Sequence, residues 1–445
     1  MGEKRRLEDR KFLISAFLLS FLLILFGCSS FFSFSWNTEK EVKGPSSSKT
    51  RKARDVSVQP PSMVPSHGRH QKASGGPALY ELQVTRLPQK TPEALERFFG
   101  RLKEHGIRTV YFRVFQNPGD GFFEVLPVQA KKGVYFKTSH APLVSDLLPL
   151  VCRFAHENDI KIYAWMNTLK AEFLWCRGAK HTYRFIPSQG RLERTSRWSP
   201  HDPRVLAAVS GLFADLARNP IDGILLQDDL ILHYNEDLGL FARKLFMKSR
   251  GLETFAPEDL YEFDKAGGGK TRVKGYTPLF WAWSRWKCEE LSLFMAKLKK
   301  AVKAIRPEIK FAVDVNYEAL SAPEDALAWY SRSIEEMERI VAPDRYVVMS
   351  YQRQMQRELK EPETVILGYI REMVTTALKL APGPNRWVFK VQTIDWRTRE
   401  PIVPDQIRMT VEAIESVAPV RACLMPYTPQ LFKVGLLARL GKLRD

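Results

Sequence analysis

From residue 78 onward, short apolar runs alternate with longer stretches whose apolar residues recur at helical spacing. Runs of this kind, bounded by polar residues or Gly, read as buried strands, and the longer stretches as amphipathic helices. The strand-like runs are 79–84, 107–115, 160–166, 221–227, 309–315, 346–350, 387–392 and 422–425. Strands that alternate with helices predict a parallel sheet covered by helices. Eight such units predict a closed (β/α)8 barrel, which leaves no sheet edge exposed. Helix starts are marked at Thr91-Pro92 and Asp202-Pro203, each a capping side chain followed by proline, and Gly106 marks a helix end. Two connections are too long for simple loops: 169–200 after the third strand, and 230–285, with Gly267-Gly268-Gly269, after the fourth. In such a barrel they fall at the face where the strands end, as walls or a lid.

The first 77 residues follow another pattern. Lys4, Arg5, Arg6, Arg10 and Lys11 precede an apolar stretch over 12–27 that ends at Leu25-Phe26-Gly27-Cys28. A basic start, a short apolar run and a small residue before a break are the parts of an export signal. Leu25 and Gly27 before Cys28 resemble a lipobox, so residues 1–28 are expected to be a lipoprotein signal with Cys28 lipidated. An uncleaved anchor and a plain secretory signal are the alternatives. Ser29 favours the periplasmic side of the outer membrane over retention at the inner membrane. Residues 29–77 are rich in Ser, Pro, Lys and Arg and are expected to be a flexible tether. The barrel then occupies 78–445.

The formal charge is +18, from 68 Lys and Arg against 50 Asp and Glu. A basic exported surface suits anionic lipid or polysaccharide. No nucleic-acid motif is present, and export argues against that partner. Cys152 and Cys423 lie in apolar patterns and are expected to be small core residues. Cys176 and Cys288 are widely spaced, and a disulfide is not fixed by the sequence. No cofactor and no metal centre are expected.

The candidate chemistry sits at strand ends. Ile221–Asp229 reads as an apolar strand ending in two adjacent carboxylates, Asp228 and Asp229. In a parallel barrel that is where a substrate arrives. Arg113 and Gln116, Trp165 and Asn167, Asp314 and Asn316, Tyr351, Gln392, Asp395, Trp396 and Tyr427 stand at the other strand ends, with His140 nearby. Aromatic rings beside carboxylates and amides suit a sugar. Its apolar face stacks on the ring, and its hydroxyls need hydrogen bonds. Asp228 and Asp229 are the expected catalytic acids, so exchanging either for Asn should abolish cleavage without unfolding. Asp314, Asp395 and Glu172 are candidate second carboxylates. A 2-acetamido sugar supplying its own nucleophile is the alternative.

These residues, in order, resemble the C-terminal glycoside-hydrolase domain of bacterial poly-β-1,6-N-acetylglucosamine N-deacetylases of the PgaB type. The matching segments are Thr109–Phe115 with Asn117–Gly121, His140-Ala141-Pro142, Ile162–Met166, Ser199–Val205, Asp222–Leu225 leading to Asp228-Asp229, and Gln392–Arg397. The resemblance covers about 78–432. It implies hydrolysis of partly de-N-acetylated poly-β-1,6-N-acetylglucosamine in the periplasm, in contact with polysaccharide export machinery. It also maps the catalytic acids onto Asp228 and Asp229. This chain departs from the family pattern at Gln227, where a His precedes the acids, and at Leu82–Arg86, which carries no acid. A third departure is Gln352, near the end of strand six. Deacetylase activity is not expected, because nothing before residue 78 supplies the metal-dependent domain. A binding-only polysaccharide lipoprotein and a peptidoglycan-remodelling barrel are the competing readings. De-N-acetylated polymer is cationic, so this substrate requires a locally acidic cleft at Asp228, Asp229, Asp314 and Asp395.

Overall fold

The computed structural model describes residues 80–266 and 270–433. The expected signal, Cys28, the tether and the Gly267-Gly268-Gly269 turn lie outside them. Eight parallel strands close into a barrel: β1 (Tyr80–Val84), β2 (Thr109–Arg113), β3 (Lys161–Met166), β4 (Gly223–Leu226), β5 (Lys310–Asn316), β6 (Arg345–Met349), β7 (Trp387–Gln392) and β8 (Arg421–Met425). β1 is bonded to both β2 and β8, which closes the ring. Every expected strand is present. The expected second strand is shorter at both ends, and beyond its C-terminal end Phe115-Gln116 leaves the barrel to pair with Gly133-Val134.

The helix Pro92–Glu104 is capped by Thr91, whose hydroxyl accepts the Ala94 main-chain N–H. Pro203–Ala217 is capped in the same way by Asp202, through the Arg204 N–H. Outward-facing strand residues such as Phe112, Ile162, Phe311 and Phe389 are buried against these helices and form the main core. At the closed end of the barrel, Gly223 lies under the ring of Tyr163. A Cβ there would sit 2.3 Å from that ring, so only glycine fits. Cys152, Cys288 and Cys423 are buried free thiols, and Cys176 is a half-buried one.

The two long insertions fold as one wall. The first contains a hairpin, His181–Ile186 with Arg191–Trp198. The second contains the helix Leu240–Arg250, another hairpin, and the start of the long helix Pro278–Ile305. Phe185 from the first packs with Leu238, Phe246, Tyr261, Phe280 and Trp283 from the second, a separate apolar core beside the barrel mouth. A third long connection, between β2 and the helix Leu148–His156, was not singled out from the sequence.

Candidate active site

Parallel-barrel enzymes build their sites where the strands end. Register fixes which side chains converge there. Arg113 pairs with Trp165, and Trp165 with Leu225, so these point to the same side as Asp314, Gln392 and Met425 in neighbouring strands. At the mouth end of the barrel, both amide atoms of Gln83, the indole N–H of Trp165 and Oδ1 of Asn167 are buried without a protein partner among the described residues. A buried polar group left unmade costs about 1–3 kcal/mol. Three such groups in one place are donors and acceptors waiting for water or a hydroxylated ligand.

The two candidate acids are placed very differently. Asp229 is buried, and its carboxylate is taken up by the loop after β3. It accepts the Thr168 N–H at 2.9 and 3.0 Å, the Thr168 hydroxyl at 3.0 Å and the Lys170 N–H at 2.7 Å. Arg197 donates to its main-chain oxygen. Asp229 therefore fastens the β3 and β4 connections together. Asp228 is half-buried, and among the described residues no hydrogen bond or ion pair engages its carboxyl. Lys170, Arg332 and Asp314 lie within reach of its charge.

This split changes the expectation for Asp229→Asn. An Asn oxygen can keep the Thr168 contacts, but its amide then points an N–H at the N–H of Lys170. One buried donor loses its acceptor, at a cost of about 1–3 kcal/mol. The expected result is a lower denaturation midpoint with an unchanged denaturant slope, and reduced activity as a consequence of loop misplacement.

The remaining strand-end residues divide into three groups. Arg113 and Gln116 hold the β2 connection. Arg113 pairs with Asp120 at 3.2 Å and donates to the Gly121 carbonyl at 2.5 Å. Gln116 donates to the carbonyl of Asp120 at 2.7 Å and accepts from Tyr135 at 2.6 Å. Burial pushes Asp120 up to about 6 against the pull of Arg113.

Tyr351, Gln392, Asp395 and Trp396 gather at the tips of β6 and β7. Tyr351 and Trp396 meet edge to face at 5.5 Å, backed by Met349 and Met425. Both rings are buried, 5% and 9% exposed, in a small apolar cluster beside the mouth. Asp395 accepts from Arg357 at 2.9 Å and from the N–H groups of Arg397 and Thr398. Burial raises its pKa, but those partners outweigh it and leave the carboxyl below the usual range. Gln352 is not a vacant acid position. Its Oε1 accepts the Gln392 N–H at 2.9 Å and its Nε2 donates to the Gln392 carbonyl at 2.8 Å. A carboxylate cannot donate, so an acid there would break this two-way pairing.

Two expected residues lie elsewhere. The His140 ring rests on Gly211 of the helix Pro203–Ala217 and stands 4.0 Å from Asp215. Tyr427 packs on Phe98 and Phe432, between β8 and the first helix. Asn316 ends β5 inside the mouth. Asp314, just before it, is buried and paired with Lys390 of β7 at 2.6 Å. Burial lifts its pKa to about 6, with Lys390 opposing.

Residues not singled out from the sequence complete the wall. Arg197 is 3.4 Å from Glu236. Burial alone would raise Glu236, but Arg197 and His233 hold it at about 2. Lys287 is buried and donates to the His233 carbonyl at 2.7 Å. His201 lies 3.0 Å from Asp237 and 3.7 Å from Glu290, stacked on Trp286. Burial opposes its charge, but the two acids win and carry its pKa from 6.5 to about 9. A raised histidine binds its proton more tightly when folded, so its contribution is complete below about pH 6.5 and is lost as pH rises through about 9. Melting temperature should therefore fall across that window, and His201→Gln should flatten the fall. An equal fall in the variant would remove His201 as the cause.

A cavity of about 370 Å³ opens at the other end of the barrel, lined by Lys161, Tyr163, Asp222, Arg306, Lys310 and Arg345 among others. Arg345 is bound to Glu81, Arg306 to Glu308 and Lys310 to Asp344. It lies away from the strand tips, and the site is assigned to the mouth on chemistry rather than on cavity size.

The fold and part of the sequence have known counterparts. The structure superposes on the PgaB (BpsB) glycoside hydrolase domain from Bordetella bronchiseptica with a TM-score of 0.62 at 22% identity, covering 83% of this chain and 98% of that one. The β-amylase catalytic domain from Paenibacillus polymyxa follows at a TM-score of 0.55 and 10% identity, covering 83% and 100%. Both show the fold. In sequence, 257 residues are 29% identical to the poly-beta-1,6-N-acetyl-D-glucosamine N-deacetylase of Escherichia coli strain K12, covering 55% of this chain. The chain spans about a third of the length of that curated relative, 34%. Residues 85–421 match GHL13, hypothetical glycosyl hydrolase family 13, and the chain belongs to that family.

Proposed function

We propose that this chain hydrolyses glycosidic bonds in an amino-sugar polysaccharide of the poly-β-1,6-N-acetylglucosamine type, cutting within the polymer, with Asp228 as the proton donor. One observation carries the reading. Of the two acids after β4, only Asp228 keeps its carboxyl clear of hydrogen bonds and ion pairs among the described residues. Of the three candidate second carboxylates, Asp314 and Asp395 are occupied by cations, and Glu172 is exposed on the loop after β3. A nucleophile supplied by the sugar fits this better than a second protein carboxylate.

In that scheme Asp228 gives its proton to the glycosidic oxygen as the C1–O bond breaks. The 2-acetamido carbonyl oxygen attacks C1 and closes a ring. Water then adds to C1, its proton returns to Asp228, and the ring opens. Incubation with N-acetylated β-1,6-linked oligomers should yield shorter products by mass spectrometry. Binding without products would favour the non-catalytic reading.

We also propose that Cys28 carries a lipid that tethers the barrel in the periplasm at the outer membrane, where it handles polymer during export. Cells fed labelled palmitate should label the wild-type chain, and Cys28→Ala should lose the label. Retained label would overturn the anchor.

A further inference from the structure

The cavity at the end of the barrel where the strands begin takes no part in the chemistry at the mouth. We propose that it is a binding site for a phosphate group, carried by a soluble small molecule or by a lipid headgroup.

Four of the eight strands begin on a cation: Lys161 in β3, Lys310 in β5, Arg345 in β6 and Arg421 in β8. The first residues of parallel barrel strands share one end, so topology gathers these charges. Lys161, Lys310 and Arg345 line the cavity, with Arg306 and Arg386 beside them. Its volume of about 370 Å³ far exceeds the roughly 30 Å³ share of a single water, which leaves room for a phosphate and part of its carrier.

The carboxylates around it are engaged, and two of them are shared. Glu81 serves Arg345 at 3.0 Å and Arg421 at 3.5 Å. Asp344 serves Lys303 at 3.5 Å and Lys310 at 3.6 Å, and accepts the Phe311 N–H at 2.9 Å. Asp222 is bonded to His156 at 2.9 Å and to the Ile162 N–H at 2.8 Å. Glu308 holds Arg306, and Glu338 holds Arg386, each at 2.7 Å. No hydrogen bond or ion pair among the described residues engages the exposed ammonium of Lys161. Seven Lys and Arg side chains thus meet five carboxylates. A phosphate group, with a charge of about −1.5 to −2, would offset the surplus.

The donors also come from separate directions, on β3, β5, β6 and the turn before β7. Asn385 in that turn accepts from Arg421 through its amide oxygen at 3.4 Å, which leaves its amide nitrogen to donate. Arg345 lies over the Tyr163 ring at 4.8 Å and is 12% exposed, so a charge-assisted bond to it is less screened than one at the surface. A tetrahedral group with several acceptor oxygens suits this spread better than a planar carboxylate.

Calorimetry with the full chain, titrated with inorganic phosphate against chloride at constant ionic strength, should find one saturable site of about 1 mM affinity. Binding should weaken as salt rises. Lys161→Ala with Lys310→Ala should weaken it about tenfold. Lys161 is exposed and Lys310 is 57% exposed, so this variant should melt with the wild type. Lys161→Glu alone should weaken phosphate binding as well. No saturable binding, or an affinity unchanged in both variants, overturns the site and leaves these charges as a network that only closes the barrel. Phosphatidylglycerol vesicles that displace bound phosphate assign it to a lipid headgroup. Displacement by glycerol phosphate but not by vesicles assigns it to a soluble compound.

Discussion

Asp228→Asn should lower turnover by about 10²- to 10⁴-fold, the usual contribution of a positioned acid–base group. Thermal stability should stay within about 0.5 kcal/mol of wild type, because no hydrogen bond or ion pair among the described residues ends on that carboxyl. The pairing of these two outcomes is the test. Asp229→Asn removes an acceptor that holds Thr168 and Lys170 in place, so its loss of activity should come with a loss of stability. If Asp228→Asn cuts as fast as wild type, Asp228 is not the proton donor. If it binds oligosaccharide normally but makes no product, the acid step alone has been removed.

The largest effect on stability is expected at the buried pair of Asp314 and Lys390, both side chains about 1% exposed. Lys390→Met strands a carboxylate in the barrel interior. Breaking a buried pair from one side costs about 3–5 kcal/mol, whereas replacing both partners with apolar groups is often near neutral. Chemical denaturation should therefore show Lys390→Met strongly destabilised and Lys390→Met with Asp314→Leu largely restored. A mild single variant, or a double variant no better than the single, would show that the pair is solvated. The restored protein would also report on function: it keeps Asp228 but lacks the charges beneath it.

The barrel was legible because its signals are local. Each strand is an apolar run, and each capping residue sits beside the proline that opens its helix, as Thr91 and Asp202 do. The site was legible only in outline. Asp228 and Asp229 are adjacent and chemically identical in sequence. What separates them is a loop some 60 residues earlier, whose N–H groups claim one and not the other. Tyr427 has the right residue type at the right strand end but turns toward the first helix, where Phe98 offers more apolar contact. His140 carries no sign in its neighbours that it will rest on Gly211. Gln352 reads as a lost acid until its two bonds to the Gln392 backbone are seen. The shared core of the two insertions was hidden for the same reason: Phe185 and Trp283 are far apart in the chain and meet only once both loops fold.

The direction of β1 has a consequence for how such a protein would sit at a surface. Tyr80 begins that strand at the pole opposite the strand tips. Anything that holds the protein from its amino end pulls on the pole away from the strand tips. Under the proposed lipid attachment, a tether joined at that pole would leave the mouth unobstructed for polymer.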